Sequence, residues 1–234
     1  MDRPANQIRE VSIERHYLKS SPGSVLYRCG ETVVLCTASV STSLPKWREG
    51  SGKGWVTAEY NMLPHSTSSR KQRDRGGKVD GRTTEIQRLI GRSLRAVVDL
   101  EALGELAVNI DCDVLQADGG TRTASITGGF IALVDAVESA LPGSQIGDGP
   151  IRDYVAAISS GVIDNTVYLD LDYRLDSAAD VDMNIVMTGA GRFVELQGTG
   201  EEATFDNDQL TQLLALGKQG IDQLIGLQKQ ALQR

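Results

Sequence analysis

Gly119-Gly120-Thr121-Arg122-Thr123 stands between a strand-like run and an apolar helical run. Two adjacent glycines let the backbone turn tightly and aim successive N–H groups at one point. A helix that starts here adds the positive end of its dipole, and Thr121 and Arg122 add a hydroxyl and a charged fork. Together these would hold an anion the size of phosphate. The spacing is neither that of a Walker A loop nor that of a dinucleotide fingerprint, so taken alone it also fits an ordinary strand–helix turn with a surface arginine. Arg82, in Asp80-Gly81-Arg82-Thr83, begins a second helical pattern and either brings another guanidinium to the same anion or is a plain surface residue.

A second group is acidic. Asp170 and Asp172 alternate with Leu169 and Leu171, which predicts two carboxylates on one face of a strand. Asp176, Asp180 and Asp182 follow across a turn, and Val181 and Met183 on either side of Asp182 are expected to face the core. Five carboxylates so close repel one another unless water, arginine or a cation intervenes. Mg²⁺ held by one or two carboxylates and phosphate oxygens suits such a set, and so does a solvated acidic hairpin. Only two histidines, His16 and His65, are present, which gives little support to a paired-imidazole acid and base. Phosphate arrives already anionic, so arginines and Mg²⁺ that position it and offset charge would suffice.

The elements that must carry these groups are legible as periodicities. Ser24–Cys29 and Thr32–Val40 are rich in β-branched residues around a Gly30-Glu31 turn, and Trp55–Tyr60 is a short strand. Ser66 to Gly81 has almost no apolar residues and reads as a basic loop. Ile86, Leu89, Ile90, Leu94, Val97 and Val98 form a helical stripe over Thr83–Asp99, with Arg88, Arg92 and Arg95 on another side. A strand over Leu106–Gln116 and an apolar helix over Ser125–Leu141 follow. After Leu141-Pro142-Gly143 the pattern restarts with strands at Val155–Val162, Val167–Tyr173, Val181–Thr188 and Arg192–Gln197, then a helix over Asp208–Leu232. This predicts an α+β fold with two similar halves, each of sheet and helix, in one compact domain spanning residues 1–234.

The 234 residues carry a net charge of −7, which argues against a polyanionic partner until its distribution is considered. From Arg70 to Arg95 nine basic residues face three acidic ones, so a local +6 sits on a body that carries −13. A basic patch of this kind can hold a nucleic acid through its phosphates. Cys29, Cys36 and Cys112 are odd in number, lack metal-ligand spacing and lie in apolar runs, so reduced core thiols are expected. A polar start containing Pro4 and the absence of a long apolar run predict a cytoplasmic protein with no membrane partner.

Several strings together resemble RNase PH. They are Gly52-Lys53-Gly54-Trp55-Val56-Thr57-Ala58-Glu59-Tyr60 with Met62-Leu63-Pro64, the run Gly81–Arg92, the run Asp111–Ser125, Asp170-Leu171-Asp172-Tyr173, Val181-Asp182-Met183-Asn184 and Phe193–Thr199. The resemblance covers nearly the whole chain. It implies the RNase PH fold and a phosphorolytic 3′→5′ exoribonuclease that trims transfer RNA precursors, releases nucleoside diphosphates and can run in reverse. Inorganic phosphate would be the co-substrate, bound by Arg82, Gly120, Thr121 and Arg122. Asp176 and Asp182 match the acidic pair credited with catalysis and Mg²⁺ binding. Arg70, Arg73 and Arg75 match the loop that handles RNA, and Lys78 lies in the same loop. The family forms a homohexamer, a trimer of dimers. Two departures stand out: the arm before Gln7-Ile8-Arg9 is shorter than the family pattern, and His65 replaces an arginine common after Leu-Pro.

Rival readings are a non-catalytic RNA-binding ring subunit of an exosome-like assembly, polynucleotide phosphorylase and a metal-dependent hydrolytic nuclease. The first would lose the phosphate arginines or the acids, the second needs a longer chain, and the third has no use for a phosphate site.

Overall fold

A computed structural model describes residues 3–73, 79–200 and 203–233. In its first half, β1 (Val11–Arg15), β2 (Gly23–Cys29), β3 (Thr32–Ser41), β4 (Trp55–Met62) and β5 (Ala107–Gln116) form a sheet ordered β1-β2-β3-β5-β4. Only the β4–β5 pairing is parallel. The connection between these two carries α1 (Gly81–Arg95), which crosses back over the sheet as parallel pairing requires. Asp80 caps α1 by accepting the Thr83 N–H at 2.7 Å, while Arg92 and Arg95 fall at the negative end of the helix dipole.

Helix α2 (Thr121–Ala140) is apolar on nearly all sides because it is covered on nearly all sides. One flank lies on β2, β3 and β5 of the first sheet, and the other lies on a second sheet. That sheet holds β6 (Val155–Ile163), β7 (Thr166–Leu169), β8 (Val181–Thr188) and β9 (Phe193–Gly200) in the order β7-β6-β8-β9, all antiparallel. Between β7 and β8 runs the short α3 (Tyr173–Asp176). The last helix, α4 (Asn207–Leu232), opens with a capping box between Asp206 and Gln209 and covers the far face of the second sheet. The layers therefore run sheet, helices, sheet, helix. Strand β6 is buried along its whole length: Val155 and Ala157 face the α2 side, Ala156 and Ile158 the α4 side.

The α+β class and the two sheet-and-helix halves are as expected, and Val181 and Met183 face the core. Several expected bounds move. Strand β1 was not anticipated, and α2 begins four residues before the expected Ser125, directly on Gly120. The strand expected over Val167–Tyr173 stops at Leu169, because Asp170 takes a left-handed conformation (φ 55°) and Asp172 caps α3 through the Leu175 N–H. Asp170 and Asp172 therefore do not share a strand face. The three cysteines are free and buried, as expected.

Two contacts lock the halves together. Asp170 is 3% exposed, and its carboxylate accepts from Arg9 through Nη2 at 2.8 Å, Nε at 3.0 Å and the main-chain N–H at 2.8 Å. Arg9 Nη1 also donates to the Asp118 carbonyl, so one guanidinium ties the amino-terminal arm, the loop before α2 and the second half. Arg3 Nη2 adds a bond to the Asp170 carbonyl at 2.7 Å. Beside this pair, burial pushes the Cys29 thiol up to about 12, so it stays a neutral S–H against Asp170. The second contact is backbone on backbone: Gly119 (φ 73°) approaches so closely that a Cβ would lie 2.5 Å from the Leu171 oxygen.

These contacts set two expectations. Although burial opposes it, the bonds from Arg9 hold the Asp170 carboxyl below its ordinary value. A depressed carboxylate stabilises the fold above its unfolded pKa and loses that contribution as pH falls through the folded one. Asp170→Asn, which strands a buried guanidinium, should cost about 3–5 kcal/mol near neutral pH. The gap to the unaltered protein in urea melts should close below about pH 4. A gap that stays constant down to pH 2 would contradict the ionised pair. Gly119→Ala should destabilise by roughly 2 kcal/mol or more, since strain and clash act together, and a urea midpoint within error of the original would refute the close approach.

Candidate active site

Where the two halves meet on the α3 side, a cleft of about 480 Å³ opens. Its floor is the start of α2. Gly120 caps that helix in the left-handed region (φ 64°), and among the described residues no side chain caps its first turn. Those groups have no intrahelical acceptor, so the positive end of a 20-residue helix faces the cleft.

Thr121 and Arg122, the first residues of α2, both line the cleft. The Thr121 hydroxyl lies 2.8 Å from the phenol of Tyr60 on β4. Burial raises the Tyr60 pKa, against the pull of the Thr121 bond and of the Arg82 and Arg122 charges, so the phenol stays protonated. A phenol that donates to Thr121 leaves the threonine proton for the cleft. Arg122 is 15% exposed, and its Nη1 donates to Gln197 Oε1 at 2.8 Å and approaches Glu85 Oε2 at 3.3 Å. Its Nε and Nη2 make no hydrogen bond among the described residues. Two anchors on one nitrogen fix the fork and leave the other donors to a ligand. Arg82, on the first turn of α1, enters the same cleft and is exposed.

Opposite this cationic wall lie Asp176, at the end of α3, and Asp182, on β8 between the buried Val181 and Met183. The other three acids of the sequence cluster do not line the cleft and serve the fold elsewhere. Asp170 binds Arg9, Asp172 caps α3, and Asp180 accepts the Asp164 N–H at 3.2 Å. The cleft is thus bipolar, with guanidinia and an open helix start facing two carboxylates. No cluster of three or more His, Cys, Asp or Glu side chains suited to a metal occurs among the described residues. Two hard oxygen donors do suit Mg²⁺, which commonly completes its octahedron with water and phosphate oxygens.

All six residues expected in the phosphate and metal sites, Arg82, Gly120, Thr121, Arg122, Asp176 and Asp182, line this one cleft. Of the basic loop, Arg70 and Arg73 are exposed a few residues beyond Thr67, a cleft-lining residue. Arg75 and Lys78 lie outside the described residues. Sequence reasoning missed Tyr60, Glu85 and Gln197. Tyr60 carries a faint signal, a hydroxyl at the inward end of the alternation Val56, Ala58, Tyr60. Arg9 carries none, since its partner is 161 positions away.

Comparison with known proteins gives the family. The model of the 3′ exoribonuclease family, domain 1, matches residues 7–137, and that of domain 2 matches residues 153–220. Ribonuclease PH of Rhodopirellula baltica is 70% identical over 98% of this chain and 96% of that one. Ribonuclease PH of Bacillus cereus is 56% identical over 98% and 95%. Among solved structures, rice Rrp46 superposes with a TM-score of 0.79 at 18% identity, covering 99% of this chain and 98% of that one. A chain of the Archaeoglobus fulgidus exosome with RNA bound to the active site reaches 0.80 at 20% identity, over 96% and 90%. At such identities these two share the fold. With both family domains matched in order and relatives of this identity over nearly its whole length, the chain belongs to the 3′ exoribonuclease family.

Proposed function

We propose that this 3′ exoribonuclease shortens RNA by phosphorolysis, with inorganic phosphate as the attacking group. What supports the reading is a single cleft in which Arg82, Arg122 and the open start of α2 face Asp176 and Asp182. Phosphate binds to the two guanidinia, the Thr121 hydroxyl and the first N–H groups of α2. One of its oxygens attacks the phosphorus of the last phosphodiester. The bond from that phosphorus to the 3′-oxygen of the preceding nucleotide breaks, a nucleoside diphosphate departs, and the RNA keeps a new 3′-hydroxyl. The reverse reaction adds a nucleotide and releases phosphate.

Among the described residues no histidine lines the cleft to serve as a base, whereas two guanidinia and an open helix start are set to receive an anionic nucleophile. Phosphate needs no such base. The arginines offset its charge as it meets another phosphoryl group, and their fixed forks hold it in line. Asp176 and Asp182 would hold Mg²⁺, which when bound screens the phosphates and stabilises the departing 3′-oxygen. The same reading takes transfer RNA precursors as substrate, the basic loop through Arg70 and Arg73 as the RNA guide, and a homohexamer as the assembly. Its setting is the cytoplasm, where three unpaired thiols stay reduced. Among the described residues no helix is long and apolar enough to cross a membrane.

The test is incubation with a 3′-extended transfer RNA and Mg²⁺, with and without phosphate, followed by identification of the mononucleotide. Phosphate-dependent diphosphate release is expected, whereas monophosphates released without phosphate would make the enzyme a hydrolase. RNA bound but never shortened would leave a binding subunit. Arg122→Ala should lower phosphorolysis by about 10²–10³-fold, the order expected when a charge-stabilising group is lost. It should also abolish the rise in Tm that millimolar phosphate gives the unaltered enzyme. Asp182→Asn should retain that phosphate-induced rise and lose Mg²⁺-dependent turnover.

A further inference from the structure

Far from the cleft, at the opposite end of β4, the exposed Trp47 and the half-buried Trp55 form an aromatic pair with cations beside it. Trp47 is 64% exposed, the largest exposure among the large hydrophobic side chains of the loop before β4. It meets Trp55 edge to face at 4.7 Å between ring centroids. The guanidinium of Arg48 lies 5.5 Å from one ring and 5.1 Å from the other, and that of Arg95 lies 4.4 Å over Trp55. Arg95 is held in place by a bond to the Val56 carbonyl at 2.7 Å. Its pKa is lowered, chiefly by burial and then by the neighbouring Arg92.

This pair is joined to the cleft by α1, which runs antiparallel to β4. Arg82, at the amino end, lines the cleft, and Arg95, at the carboxyl end, covers Trp55. The thirteen residue steps between them span roughly 20 Å. Arg88 and Arg92 are exposed on the helix between, spaced i and i+4, so they share a face. Arg92 is partly neutralised by Glu195, and Arg88 has no ion pair among the described residues. The protein is otherwise acidic, so a cationic stripe that links a phosphate-sized site to an exposed indole is a departure from its general charge.

We propose that Trp47, Trp55 and the arginine stripe of α1 form a second, outlying site for single-stranded RNA. A base upstream of the 3′ end stacks on Trp47, and the phosphates between it and the cleft follow Arg88 and Arg92. Indole faces with guanidinium neighbours bind bases without regard to sequence, which suits an enzyme that must accept every nucleotide in turn. Lys46 and Arg48 flank Trp47 in the loop, while Lys53 is paired with Glu101, so the cations beside the indole itself match a polyanion rather than an apolar protein partner. The inference rests on RNA being the substrate of the cleft.

The experiment uses the full chain, fluorescent oligoadenylates of about four and about twenty nucleotides, and anisotropy in phosphate-free buffer with chelator. Trp47→Ala is expected to weaken the long oligomer about tenfold, the scale of one lost base stack, and to leave the short one unchanged. Trp47→Phe should restore most of the difference. The same tenfold step should appear in an Arg122→Ala background, where loss of phosphorolysis cannot confuse the reading. Equal affinity of the long oligomer for the unaltered and Trp47→Ala proteins would overturn the proposal. A change of assembly size on gel filtration, with equal losses for both lengths, would also overturn it and make this surface a subunit contact.

Discussion

The buried pair of Arg9 and Asp170 is the constraint on which the other features of the structure depend. A carboxylate this deep is tolerated only if its lone pairs are filled, and three N–H groups of a single residue fill them. Because Arg9 also holds the Asp118 carbonyl, the pair fixes the loop that presents Gly120, Thr121 and Arg122. Because Asp170 ends β7 and precedes α3, the pair also fixes the segment that presents Asp176. The two walls of the cleft belong to different halves of the chain, and this ion pair sets the distance between them. An apolar substitute of equal volume would fill the space and lose the directionality.

Helix α2 supplies the other half of the arrangement. It is held by a sheet on each flank, with Thr127 bonding to both main-chain groups of Ala157 and the buried Gln228 of α4 reaching the Thr127 carbonyl at 3.0 Å. A helix gripped on both sides cannot tilt to accommodate a ligand. Its open first turn is therefore a fixed electrostatic feature of the cleft, and the arginines are set around it. Arg122 is steadied by Gln197 of the second sheet and Glu85 of α1, so three separate elements meet on one guanidinium.

Much of this was written locally in the chain. The alternation of β-branched residues gave most strands, the apolar stripe gave α1, and Gly119-Gly120-Thr121-Arg122 announced an anion site with a physical rationale. What the sequence hid is what depends on distant partners. Asp170 and Asp172 fit a strand by alternation, yet a buried arginine 161 positions away turns the chain there. The early start of α2 was hidden by two glycines, which as local signals mark a turn and here serve as a helix cap. Strand β1 is half-buried and charged, so its membership of the sheet comes from pairing with β2 rather than from its own composition. The resemblance to RNase PH reached the six cleft residues directly, whereas Tyr60, Glu85 and Gln197 became visible only when three elements were brought together.

The division of the cleft between the two halves has a consequence for the chain during its synthesis. The groups proposed to grip phosphate have all been made once residue 122 is in place, but the carboxylates that face them follow more than fifty residues later. The helix that covers the second sheet comes last of all. A chain still attached to the ribosome that has made only its first half lacks both the Asp170 that fixes the Gly120 loop and the Gln197 that steadies Arg122, so it has no finished cleft. A nuclease made beside ribosomal and messenger RNA is in this way inert until nearly its whole length has emerged.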